Sequence, residues 1–135
     1  MFKRKRLPTE LEPSFAAFMA VLAEVEPAKA AITEVMPSTR QPGRPFPDAL
    51  MEFEEGLGRA RLNMPGWRGP QTDEAWERCD AGLMEALDRA RGFREEAPEF
   101  GGFEGLIWAV ERLLAPLEPF VEAAERFRGL RSSRA

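Results

Sequence analysis

Three features of the sequence predict an all-α fold, an up-down-up-down antiparallel four-helix bundle with proline kinks in its first and fourth helices. Sheet formers are scarce: the 135 residues hold five valines, two isoleucines, four threonines and no tyrosine, whereas strands favour β-branched and aromatic side chains. The strong helix formers Ala, Leu, Glu, Arg and Met are abundant instead. Four stretches also carry apolar residues at alternating intervals of three and four, the period of a helix with one buried face, and each is bounded by proline or glycine.

The first helix is expected from Thr9, which forms a capping-box pattern with Glu12 behind Pro8. Its apolar positions are Leu11, Phe15, Phe18, Leu22, Val25, Ile32 and Met36, with Lys29 at the skipped seam position. Pro27 falls inside this run, and because the spacing keeps phase across it, one kinked helix is expected, not two. Pro37 ends it. The stretch Pro37 to Pro47, with four prolines and a glycine, is long for a bundle, whose connections usually take about 2–8 residues; it either covers or binds something.

The second helix runs from about Pro47 to Met64 with Phe46, Leu50, Phe53, Leu57, Ala60 and Met64 on one face, and Pro65-Gly66 stops it. Thr72 is the expected N-cap of the third, with Asp73 and Glu74 favouring the positive end of the helix dipole. That helix continues to about Glu96 on a stripe of Trp76, Cys79, Leu83, Leu87, Ala90 and Phe93. After Pro98 and Gly101-Gly102, a fourth helix extends from Phe103 to about Arg131 through Phe103, Leu106, Val110, Leu113, Leu117, Phe120, Ala124 and Phe127, a phase that survives Pro116 and Pro119. If the first and fourth helices are antiparallel neighbours, position 11 lies opposite 131 and Pro27 opposite Ala115, so the two kinks share one level. The whole chain, 1–135, reads as a single domain, with 1–8 and 132–135 as flexible basic tails.

Composition removes much chemistry. There is no histidine and no tyrosine, and Cys79 is the lone cysteine; His-based triads, His/Cys metal sites and disulfides are therefore excluded, as are the Glu-x-x-His motifs of di-iron bundles. No catalytic residue, metal or cofactor is expected. Most acids fall in i,i+4 pairs such as Glu55/Arg59, Glu74/Arg78, Glu85/Arg89 and Glu122/Arg126, the acid first, as on solvated helix faces. Lys29, Glu55 and Asp80 level-match as a candidate polar layer in the core. Such a layer is the one exceptional route to an enzyme, because desolvation lowers a lysine pKa; the plainer reading is a stem lying along the seam with its ammonium reaching a rim carboxylate. Cys79 reads as a small buried apolar residue.

Charge is placed unevenly. Lys3, Arg4, Lys5 and Arg6 at one terminus and Arg126, Arg128, Arg131 and Arg134 at the other have no acid among them, leaving 11 bases against all 23 acids between. An even number of antiparallel helices brings both termini to one end, so the expected shape is an acidic rod with a basic tip. The basic start and the uncharged run 13–23 superficially resemble a signal peptide, but Glu10 and Glu12 interrupt it and the helical period runs on through it. That run is also shorter than the roughly 20 residues needed to cross a bilayer. A cytoplasmic chain is expected, and a lone cysteine agrees with a reducing compartment.

These features point to a small non-enzymatic bundle that acts by contact with another protein or with a second copy of itself, a homodimer. Trp108 projects about 160–200° from the stripe of its helix, at 100° per residue, and with Phe100, Phe46 and the loop residue Trp67 it forms the candidate partner surface. The alternative is a weak binder of phosphate-bearing polymers or anionic membrane surfaces through the basic tip, where Phe2 adds an apolar contact. Sequence-specific nucleic-acid recognition and membrane insertion are not expected.

Overall fold

The computed structural model describes residues 7–130. A 3-10 turn at Thr9–Leu11 leads into α1 (Glu12–Thr33); α2 is Phe46–Asn63, followed by a 3-10 turn at Met64–Trp67; α3 is Asp73–Glu96; α4 (Phe103–Leu114) and α5 (Pro119–Gly129) are separated by a 3-10 turn at Ala115–Leu117. Among the described residues there is no strand. The chain is all-α, and α4, the turn and α5 together occupy the place of the fourth helix.

Side-chain pairs set the directions. Gly56 of α2 meets Ala28 of α1, Arg59 reaches Glu24 at 2.8 Å, and Gly66 meets Ala17, so numbers rise along one helix as they fall along the other: α1 and α2 are antiparallel. Between α2 and α3, Arg94 pairs with Glu54 at 3.3 Å and the Trp76 indole donates to the Met64 carbonyl at 2.7 Å. Arg78 with Glu122, Gly82 with Pro116 and Phe93 with Trp108 order α3 against α4 and α5 in the same way. The bundle closes where Phe127 stacks on Phe18 at 4.9 Å and meets Phe15 at 5.5 Å. A register that sets 11 opposite 131 sets 15 opposite 127, as found.

The seam of α1 differs from the sequence expectation. Its buried positions are Phe18, Val21, Val25, Ala28, Ala31 and Ile32, so the stripe passes through Ala28 and leaves Lys29 at its shoulder. The cause is a close helix approach: a Cβ at Gly56 would stand 3.0 Å from the Ala28 methyl and 3.3 Å from the Glu24 carbonyl oxygen. Small residues on both helices bring the backbones together, where a lysine stem would hold them apart.

The starts of two helices also depart from expectation. Thr9 makes no side-chain cap; it opens the 3-10 turn, in which the Leu11 N–H donates to the Pro8 carbonyl at 2.9 Å. Thr72 precedes α3 but does not cap it through its hydroxyl, which is buried and donates to the Trp67 carbonyl at 2.7 Å. The loop segment before α3 thereby gains a partner that the helix forgoes.

The prolines act differently from each other. α1 is continuous through Pro27. The fourth segment is not continuous: Pro116 lacks the N–H that would bond the Arg112 carbonyl, and Arg89 of α3 supplies the missing donor, its Nη1 lying 2.9 Å from that oxygen while Nη2 holds Glu85 at 2.6 Å. Gly82, about two turns before Arg89 on α3, lets the Pro116 carbonyl approach so closely that any Cβ there would overlap it. The break is thus built into the packing of α3.

The long connection 34–45 is tied down at its end. The Arg44 N–H donates to the Glu34 carbonyl at 2.9 Å, and its guanidinium bridges Glu34 at 3.6 Å and Glu52 at 2.5 Å. Arg44 so joins the last turn of α1 to the first turns of α2, which fixes where Phe46 emerges.

Candidate functional site

Two aromatic groups lie at opposite ends of the bundle, and only one reaches the surface. At the end near Leu7, Phe15, Phe18, Trp67 and Phe127 form a core cluster. Trp67 is fully buried, its indole N–H directed at the Met64 sulfur at 3.2 Å. Its assignment to a partner surface is therefore corrected: the Pro-Gly turn folds the indole inward, since an apolar ring gains more from a site walled by Phe18 and Phe127 than from solvent.

At the other end, Phe46 of α2 meets both Phe93 of α3 and Phe100 of the α3–α4 connection edge to face, and Trp108 of α4 stands against Phe93 at 5.7 Å. Phe46 and Phe100 are half-buried. Trp108 remains 54% exposed and Phe103, expected on the core stripe, 55%. The first turns of α4 thus leave two large aromatics uncovered; the Arg112 guanidinium lies 5.5 Å from the Trp108 ring, a cation–π contact.

Beside these rings, α2 and the end of α3 enclose an open apolar cleft of about 260 Å³ lined by Phe46, Pro47, Leu50, Met51, Phe93 and Pro98, with Glu54 and Arg94 at its rim. Met51 is 58% exposed. Thioether side chains adapt to irregular apolar partners, and Met51 was not singled out in the sequence because it sits off the α2 stripe. Ala97, which also lines the cleft, closes α3 in the left-handed region at φ 46°, ψ 55°, its N–H bonded to the Phe93 carbonyl at 2.9 Å. That conformation turns the chain sharply, so Pro98 and Phe100 fold back over the helix end.

No protein family, curated protein or solved structure matches the chain.

The polar core layer is not assembled. Lys29 pairs along its own helix with Glu26 at 3.8 Å, Glu55 is exposed, and Asp80 is half-buried. With Ala28 on the seam, the lysine has no interior position to occupy. Cys79 is buried and free, and burial, with a smaller contribution from Glu122, pushes its thiol up to about 12. A thiol so held is protonated at neutral pH and is a poor nucleophile. Among the described residues no group of three or more metal-binding side chains occurs, and no helix is long and apolar enough to cross a membrane.

Of the basic tip, Lys3, Arg4, Lys5, Arg6, Arg131 and Arg134 lie outside the described residues. Arg128 is exposed, and Arg126 donates to the Gln71 carbonyl at 3.4 Å beside a polar cleft in which Arg78 pairs with Glu74 and Glu122 while Asp73 pairs with Arg68.

Proposed function

We propose that this chain is a non-enzymatic helical bundle that acts by binding another protein at the end formed by the cleft and the rings of Phe46, Phe100, Phe103 and Trp108. The observation that carries the reading is the coincidence of exposure and preformed shape. Met51, more than half exposed, lines an apolar cleft whose floor is fixed by Phe46 and Phe93, and Trp108, equally exposed, stands against the same Phe93. Aromatic and methionine side chains are the enriched components of interface cores, and anchors work best beside rigid pockets. Among the other exposed apolar residues, Met19, Leu62, Met84 and Val121, Met84 lines a cleft whose other walls are mostly charged, and single exposed residues are ordinary.

Photo-crosslinking in the native cell tests this. A benzophenone side chain placed at Met51 or at Trp108 is expected to join the same protein, whereas placement at Leu62 or Val121 joins nothing in common with them. Identical products from all four positions, or none from 51 and 108, would overturn the reading.

A further inference from the structure

α4 is held less firmly than the elements around it. α1 is tied to α2 by Glu24 and Arg59 at 2.8 Å, α2 to α3 by Glu54 and Arg94 at 3.3 Å, and α3 to α5 by Arg78 and Glu122 at 3.3 Å; among the described residues no ion pair ties α4 to a neighbour. Residues 103–107 include no buried side chain, and of them Leu106 alone packs against the core. The grip comes later in the helix. Ala109, Val110 and Leu113 are buried, Trp108 stands against Phe93, and Arg89 reaches the Arg112 carbonyl. None of the buried three is aromatic, whereas α5 is seated through Phe120 and Phe127.

The segments on either side of α4 are fixed. Phe100 meets Phe46 at 5.0 Å before it, and the Pro116 carbonyl lies against Gly82 after it. Between Phe100 and α4 stand only Gly101 and Gly102, where a Cβ would meet nothing within 4 Å, and the 115–117 turn already breaks the helical ladder on the other side. Twelve residues make a helix about 18 Å long and extend to about 40 Å, so α4 unwinds between its fixed ends without pulling on either. Units with few buried contacts open at a fraction of the global unfolding free energy.

We propose that α4 is a strap that opens by itself, lifting Trp108 off Phe93 while α1, α2, α3 and α5 stay packed, with the bond from Arg89 to the Arg112 carbonyl as its latch. The role of the strap as a control rests on the reading of this end as a docking surface. Phe103 and Trp108 ride on α4, whereas Phe46, Met51 and Phe93 belong to helices that stay. Both halves of the surface face a partner together only while α4 is closed. A partner that touches both halves selects that state and holds the strap shut.

Amide hydrogen exchange of the full chain, read by mass spectrometry in urea concentrations well below the unfolding midpoint, tests this. Exchange through global unfolding accelerates with urea, because the slope follows the surface exposed; exchange through loss of one short helix hardly responds. Relative to their intrinsic rates, the amides of 107–114 are expected to exchange roughly tenfold or more faster than those in the middle of α1 and α3, with a flat response to urea. Arg89→Met is expected to speed them about fivefold, the loss of one hydrogen bond. Amides of 107–114 as slow as those of α1, or with the same urea slope, would overturn the strap, and exchange there that Arg89→Met leaves unchanged would overturn the latch. A fast, flat α4 with no common crosslink from Met51 and Trp108 leaves the strap standing and removes the docking surface. A common crosslink with an α4 that opens only globally leaves the surface and removes the strap.

Discussion

Gly82 and Gly92 lie in the same helix, and replacing each with alanine is expected to move stability in opposite directions. In an open helix interior the change gains about 0.5–1 kcal/mol, because glycine loses more backbone freedom on folding. Nothing stands within 4 Å of a Cβ at Gly92, so Gly92→Ala collects that gain. At Gly82 the same gain is opposed by overlap with the Pro116 carbonyl oxygen. That oxygen is backbone, and the segment just before it is held by Arg89 on the Arg112 carbonyl, so neither side yields cheaply. Forcing extra atoms into packed interiors costs about 1–3 kcal/mol, and a backbone clash belongs at the upper end. The net expectation for Gly82→Ala is a loss of about 1–2 kcal/mol. Urea unfolding followed by far-ultraviolet circular dichroism reads both variants. For a chain of this size a thermal midpoint moves by roughly 3–5 °C per kcal/mol, so the pair separates clearly. A Gly82→Ala protein as stable as Gly92→Ala would refute the close approach of α3 to the 115–117 turn.

Other expectations follow from single features. Ala97→Gly relieves a left-handed alanine and should stabilise by about 1 kcal/mol in the same unfolding assay, since that region penalises a Cβ. Arg89→Met leaves the Arg112 carbonyl without its donor and should cost about 1 kcal/mol, whereas Glu85→Gln, which keeps that bond, should cost less. The Cys79 thiol is held at about 12 against an ordinary 9.0. Above the ordinary value the unfolded chain sheds that proton while the folded chain keeps it, so stability falls with rising pH, by about 1.4 kcal/mol per unit from this group. Cys79→Ala should show a shallower decline between pH 9 and 10.5, and an unchanged slope would show that the thiol is not protected by burial.

The helical stripes were legible because large apolar side chains recur at the helix period, their ends because proline and glycine bound them, and the pairing of Phe15 with position 127 because the first and fourth helices were taken as antiparallel neighbours. The Ala28 seam was not legible, because its driving contact is the absence of side chain on both helices, and a reading weighted toward Leu, Val and Phe places Lys29 there instead. Trp67 was misplaced for a related reason: flanking by proline and glycine marks a turn but does not say which way an indole turns, and the two rings packed against it, Phe18 and Phe127, come from α1 and α5. The break at 115–117 depends on Arg89 and Gly82, residues of another helix. Of the candidate surface, Phe46, Phe100 and Trp108 lie at one end, Phe46 after the first long connection and Phe100 in the α3–α4 connection, joined through Phe93. Met51 and the cleft arise only when α2 and α3 are set side by side.

The central claim, that the chain acts through the Trp108 end, is tested most directly by the three indole N–H signals in proton–nitrogen NMR, recorded free and with the binding partner present, whether a second copy at high concentration or a protein recovered from crosslinking at Met51. Trp67 and Trp76 donate to internal acceptors at Met64, and their signals are expected to hold still. Trp108, half exposed beside the cleft, is expected to shift on binding. A partner that moves the Trp67 or Trp76 signal and leaves Trp108 unchanged would contradict the account.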